Sequence, residues 1–96
     1  MKHFVFLEIE QERCNQTFLN EMKSVLQEAC EVIGGFLDYQ ILLENHSCDS
    51  HVRILISLSF TDWAVKDRYL AHPLHMALLQ KIKPVILNKA IFDSPV

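Results

Sequence analysis

Glycine is scarce in this sequence: only two stand among 96 residues, side by side at Gly34 and Gly35. With half the chain apolar, that excludes a disordered or low-complexity protein and points to one packed core, because so short a chain does not split into two. Basic residues are also few. Nine Lys and Arg stand against twelve Asp and Glu, for a net charge of −3, and no cationic stripe marks a nucleic-acid surface. No apolar run is long enough to cross a membrane. The opening "KHFVFLEIE" has a lysine before a short apolar stretch, but Glu8 and Glu10 end it too early for a secretory leader. The three cysteines, Cys14, Cys30 and Cys48, form no CxxC pair and no zinc spacing. They read as reduced thiols in a cytoplasmic protein, with Cys30 filling space near a helix end.

What is present is strong periodicity. Residues 2 to 10 alternate, with His3, Val5, Leu7 and Ile9 on one face and Phe4 and Phe6 on the other. That period of two predicts a strand. From Asn15, a fair N-cap, the period lengthens: Phe18, Met22, Val25, Leu26, Ala29, Val32 and Ile33 recur at threes and fours, predicting a helix stopped by Gly34-Gly35. Residues 36 to 45 read as a second strand and "ENHSCDS" as a polar turn. Residues 51 to 60 form a third strand, with Val52, Ile54, Ile56, Leu58 and Phe60 opposite Arg53, Leu55, Ser57 and Ser59. A helix capped by Thr61 or Asp62 runs to about Ala71, a second begins at Pro73 and reaches Pro84, and a last strand covers 85 to 93.

The order β-α-β-β-α-β predicts an α+β, ferredoxin-like fold: a four-stranded antiparallel sheet with helices on one face. The helices need the face carrying Ile54, Ile56, Leu58 and Phe60. Phe4, Phe6 and Leu55 then lie on the bare face, where a second copy of the chain would cover them. The expected partner is an identical subunit, packed sheet to sheet about a two-fold axis.

The stretch "YLAHPLH", residues 69 to 75, sets a tyrosine and two histidines around Pro73. Three readings compete: an acid–base set, a metal site, and the punctuation of a helix break. A metal needs a third ligand such as Asp38 or Glu44, and the proline disturbs the spacing of His72 and His75, so no metal is expected. His72 suits a cap at the break. Tyr69 suits a core position with its hydroxyl bonded, and His75 suits a neutral histidine in the first turn of a helix.

The same region carries a resemblance. Tyr69, His72-Pro73 and His75, then Lys83-Pro84 and Phe92-Asp93, resemble the C-terminal half of the stress-responsive α/β-barrel (Dabb) domain family. The opening Lys2-His3 before an apolar run and the turn at Gly34-Gly35 extend the likeness over nearly the whole chain. The resemblance implies a homodimer whose sheets face each other as a barrel, needing neither metal nor cofactor. Some plant members are polyketide cyclases that use the tyrosine and second histidine of the motif as acid and base, which here are Tyr69 and His75, with a first-strand pocket histidine matching His3. A further histidine of those cyclases falls here on Ile54, and His51 nearby has the wrong parity. The first helix, with Met22 and Leu26, lacks their pocket tyrosine. The expected site is one cavity between sheet and helices, with Tyr69 and His75 as candidate catalytic residues and His3, Val5, Leu7, Ile54, Ile56, His72 and Leu78 around the ligand. The expected function is binding of a small apolar or carbonyl-containing molecule, the alternative a cofactor-free, cyclase-like lyase.

Overall fold

A computed structural model describes residues 1–44 and 51–96, so the predicted turn beyond Glu44, the end of the second strand at residue 45, and Cys48 lie outside the described residues. The chain folds as β1 (Lys2–Glu10), a short 3-10 turn (Gln11–Arg13), α1 (Gln16–Val32), β2 (Phe36–Leu43), β3 (His51–Phe60), α2 (Trp63–Leu70), α3 (Pro73–Ile82) and β4 (Ile86–Ser94). The sheet is antiparallel throughout, in the order β2-β3-β1-β4. This is the ferredoxin-like α+β fold that the periodicity predicts.

Each helix start is fixed by a side chain. Asn15 Oδ1 accepts from the Phe18 N–H at 2.9 Å and opens α1. Asp62 Oδ1 accepts from the Val65 N–H at 3.0 Å and opens α2. The His72 ring opens α3: its Nδ1 accepts from the Leu74 N–H at 3.1 Å, with Pro73 at the first helical position. Such caps satisfy amide groups that the helix itself cannot. Helix α1 buries Phe18, Met22, Leu26 and Ala29, the stripe that steps of three and four place on one side.

Gly34 and Gly35 do different things. Gly35 has φ +91°, and a Cβ there would stand 2.6 Å from a Val65 methyl and 2.7 Å from the Thr61 hydroxyl. A Cβ on Gly34 would meet nothing within 4 Å. The turn closes onto the start of α2 through the Thr61 N–H, which donates to the Gly35 carbonyl at 2.9 Å.

The sheet faces sort as the alternation predicts. Leu7, Ile9, Ile54, Ile56, Leu58 and Phe60 are buried under the helices, while Phe4, Phe6 and Leu55 on the opposite face are only half-buried. Strand β2 breaks the alternation, because Phe36 pairs with Phe60 and Asp38 with Ser59. Leu37 is the extra residue of a bulge, which lets Phe36 and Tyr39 face the helices although three positions separate them. A second irregularity sits between Glu8 and Ile9, where Leu87 is the unpaired residue of β4.

Candidate functional site

The cavity forms where the helical layer breaks. Tyr69 lies one residue from the end of α2 and His75 in the first turn of α3. Pro73 lacks the N–H that would continue α2, so the chain turns between them. Both rings point back toward the sheet, with centroids 4.9 Å apart and an edge-on angle of 62°. Tyr69 also meets Phe36 at 5.3 Å and Phe60 at 5.8 Å. From β1, the alternation brings His3, Val5 and Leu7 up beneath them.

Together these residues line a cavity of about 90 Å³ with Ile56 and Leu78, which Lys89 and Ile91 of the edge strand β4 complete. Of the residues singled out in the sequence, His3, Val5, Leu7, Ile56, Tyr69, His75 and Leu78 therefore share one space. Two others do not. Ile54 has the right parity and is fully buried, but it pairs with Leu7 one step further along the sheet, beyond the cavity floor. Two residues along a strand amount to roughly 7 Å, enough to move a side chain from cavity to core. His72 is absent from the lining because its ring is turned to cap α3. It borders a separate shallow depression with Val32, Gly34 and Arg68.

Of the four polar side chains that line the cavity, His75, Tyr69 and His3 are each held differently. His75 Nδ1 lies 3.0 Å from the Leu70 carbonyl oxygen. A carbonyl only accepts, so Nδ1 carries the hydrogen and Nε2 keeps a free lone pair when the ring is neutral. Burial lowers the His75 pKa, the bond to Leu70 partly opposes this, and the charges of Lys89 and His3 push the same way as burial. The lowered pKa favours the neutral imidazole, and no partner among the described residues occupies its Nε2. Tyr69 is 2% exposed, and burial pushes its phenol far above the usual value, so it remains a hydroxyl. No partner among the described residues reaches that hydroxyl, and it is not sealed from the cavity.

His3 is anchored from outside. Its Nδ1 makes a short hydrogen bond to Asp93 Oδ1, and Asp93 Oδ2 accepts from Lys66 Nζ at 3.0 Å. Burial raises the Asp93 pKa, but the bonds and charges of His3 and Lys66 outweigh it and hold the carboxyl below its usual value. The carboxylate fixes the His3 ring and leaves Nε2 as its remaining polar atom. Sequence reasoning gave no role to Asp93, Lys66 or Lys89. A signal for Asp93 was present. The fold sets β4 beside β1, Asp93 is the one acidic residue of β4, and the register puts it directly opposite His3. For Lys66 no comparable signal exists, since it reaches Asp93 from another layer.

No group of three or more His, Cys, Asp or Glu side chains among the described residues is placed to hold a metal ion. No helix among them is long and apolar enough to cross a membrane.

No protein-family model matches the sequence, and no curated protein matches it. Solved structures do match the fold. A dimeric ferredoxin-like protein of unknown function from Bacteroides fragilis superposes with a TM-score of 0.79 at 17% identity, over 97% of this chain and 92% of that one. A protein of Bacteroides thetaiotaomicron, provisionally described as an antibiotic biosynthesis monooxygenase, gives 0.78 at 18% identity over 100% and 88%. A protein of Arabidopsis thaliana gives 0.72 at 13% identity over 100% and 95%. At these identities the likeness is one of fold.

Proposed function

We propose that this chain is a homodimeric, cytoplasmic domain of the stress-responsive α/β-barrel (Dabb) kind that binds a small carbonyl-bearing molecule in the cavity beneath Tyr69 and His75. One observation carries the reading: the hydroxyl of the buried Tyr69, its pKa raised by burial and with no partner among the described residues, borders an apolar cavity. The hydroxyl is open to the cavity, and a carbonyl oxygen there would give its O–H an acceptor, a hydrogen bond worth about 0.5–1.5 kcal/mol net. The volume limits the guest. Roughly 150 Å³ of apolar cavity admits benzene, so about 90 Å³ takes a short acyl chain or one edge of a ring. The sheet-to-sheet dimer is supported by the half-buried Phe4, Phe6 and Leu55, and by the description of a structural neighbour as dimeric.

The second reading, acid–base catalysis, is favoured by the orientation of His75. Its Nε2 lone pair would take a proton from a carbon flanked by carbonyls, while the Tyr69 hydroxyl donates to the enolate oxygen that forms. The resulting carbon nucleophile would add to a second carbonyl, and the proton would return to the new alkoxide. The cavity volume restricts this to short substrates.

The test is a titration of the chain with pentane-2,4-dione, followed by methyl NMR. Binding should shift Leu7, Ile56 and Leu78 together, and Tyr69→Phe should weaken it about tenfold, the worth of one buried hydrogen bond. Shifts spread over the surface and unaffected by Tyr69→Phe would end the reading. Exchange of the central dione protons into D2O, accelerated by the wild type and not by His75→Ala, would separate catalysis from binding.

A further inference from the structure

The mouth of the cavity holds a charge that its interior has no use for. Lys89 stands on β4 opposite Leu7, on the helix-facing side of the sheet, and borders the cavity with Ile91. Among the described residues no other lysine or arginine borders it, and no aspartate or glutamate does. Lys66 is paired with Asp93 and Lys81 with Glu21. Lys89 has no acidic partner among the described residues, in a chain whose net charge is −3. Asp93 lies on the same face of β4, but His3 and Lys66 already occupy its two oxygens.

We infer that the cavity takes a short-chain carboxylate, with its apolar tail between sheet and helices and its carboxylate on Lys89 at the mouth. The inference rests on the binding reading above and narrows it. Three features select this class. The volume accepts a short tail and little more. The lining presents no acid among the described residues to repel an anion. The cation sits at the rim, where a carboxylate keeps part of its hydration and avoids the cost of full burial. A carbonyl along the tail would fall within the apolar part, where Tyr69 and His75 are.

The plain alternative is that Lys89 merely lays its aliphatic stem over the edge of the core. Replacement by methionine keeps such a stem and removes the charge. Hexanoate and its neutral isostere hexanamide are titrated at pH 7 and low salt into wild type, Lys89→Met and, as a charge control on exposed α1, Lys23→Met. Wild type should bind hexanoate about fivefold more tightly than hexanamide, the upper range for one partly exposed ion pair. Lys89→Met should erase that preference with hexanamide unchanged, and Lys23→Met should keep it. Equal binding of both probes to wild type, or a preference that survives Lys89→Met, overturns the role of Lys89 and leaves the cavity reading standing. If neither probe perturbs the cavity methyls, both readings fall.

Discussion

The two faces of strand β1 are made from neighbouring residues and have opposite tasks. His3, Leu7 and Ile9 turn toward the helices and are buried in a single subunit, while Phe4, Phe6 and Glu8 turn away and stay half-buried. The first face is complete, with Leu7 and Ile9 sealed by the helices and His3 paired with Asp93. The second is unfinished. Phe4 packs on Phe92 at a centroid distance of 6.1 Å, yet Phe92 is 66% exposed. Its rim is ionic, with Arg53 reaching Glu44 at 2.8 Å and Glu8 at 3.4 Å. An apolar centre inside a charged rim is how surfaces that meet other proteins are built. The lesson is that one strand carries two patterns in alternate positions, one that folds the subunit and one that suits the proposed sheet-to-sheet dimer.

Breaking the inner face should have the largest effect. Phe60 is fully buried and packs edge-on against Phe36 at 4.8 Å. Phe60→Ala should cost about 3–5 kcal/mol and lower the melting temperature by on the order of 20 °C. The same truncation at Phe4 should cost a separated subunit about 1 kcal/mol or less. Urea melts of both variants would check the contrast, and equal losses would erase it.

Breaking the outer face should act on association. Phe6→Asp places an unpaired charge in the proposed interface, which costs at least about 2 kcal/mol, or thirtyfold in the dissociation constant. Sedimentation at micromolar concentration should give a folded monomer for the variant and a dimer for the wild type. A wild-type monomer, or a variant that remains dimeric, would remove the assembly pattern from the comparison.

Much of this division was legible in the sequence. Strict alternation in β1 and β3 assigns every residue to its face, and the polar caps Asn15 and Asp62 mark the helix starts. The bulge at Leu37 was not legible, because an inserted residue looks like any apolar residue until its partner strand is known. Nor was the placement of Ile54: parity gives the face of a residue and says nothing about its distance from the cavity. The His3–Asp93–Lys66 chain joins residues 90 and 27 positions apart, and only tertiary register brings such groups together. His72 was readable both as cap and as ligand contact, and the geometry of its ring decides for the cap.

Smaller effects come from pH. The folded pKa of His75 lies below its ordinary 6.5, so the unfolded chain binds the proton more readily. Its contribution to stability is then complete above pH 6.5 and lost as pH falls through the lower folded value. Asp93 follows the same sign further down: its contribution is complete above 3.8 and lost below that as the folded carboxyl titrates. Melting temperatures between pH 2 and 8 should fall in two steps, with His75→Gln flattening the upper and Asp93→Asn the lower. An upper step untouched by His75→Gln would assign it to another group.

The smallest stability effect should be Tyr69→Phe. It removes a hydroxyl without a partner among the described residues, so the melting free energy should move by no more than about 0.5 kcal/mol. A larger loss would mean that the hydroxyl supports the fold, and the inner face would then have a purely structural tyrosine.

The paired glycines after α1 have a consequence for how this sequence can drift. Gly34 could become alanine with no neighbour to object, whereas any side chain on Gly35 must displace Val65 and Thr61 and also adopt a left-handed backbone. Two identical adjacent letters thus differ in information content, one nearly silent and one tied to two positions a quarter of the chain away. Descendants of this sequence should vary freely at 34, while change at 35 should arrive only together with smaller residues at 61 and 65, an epistatic trio that no count of glycines reveals.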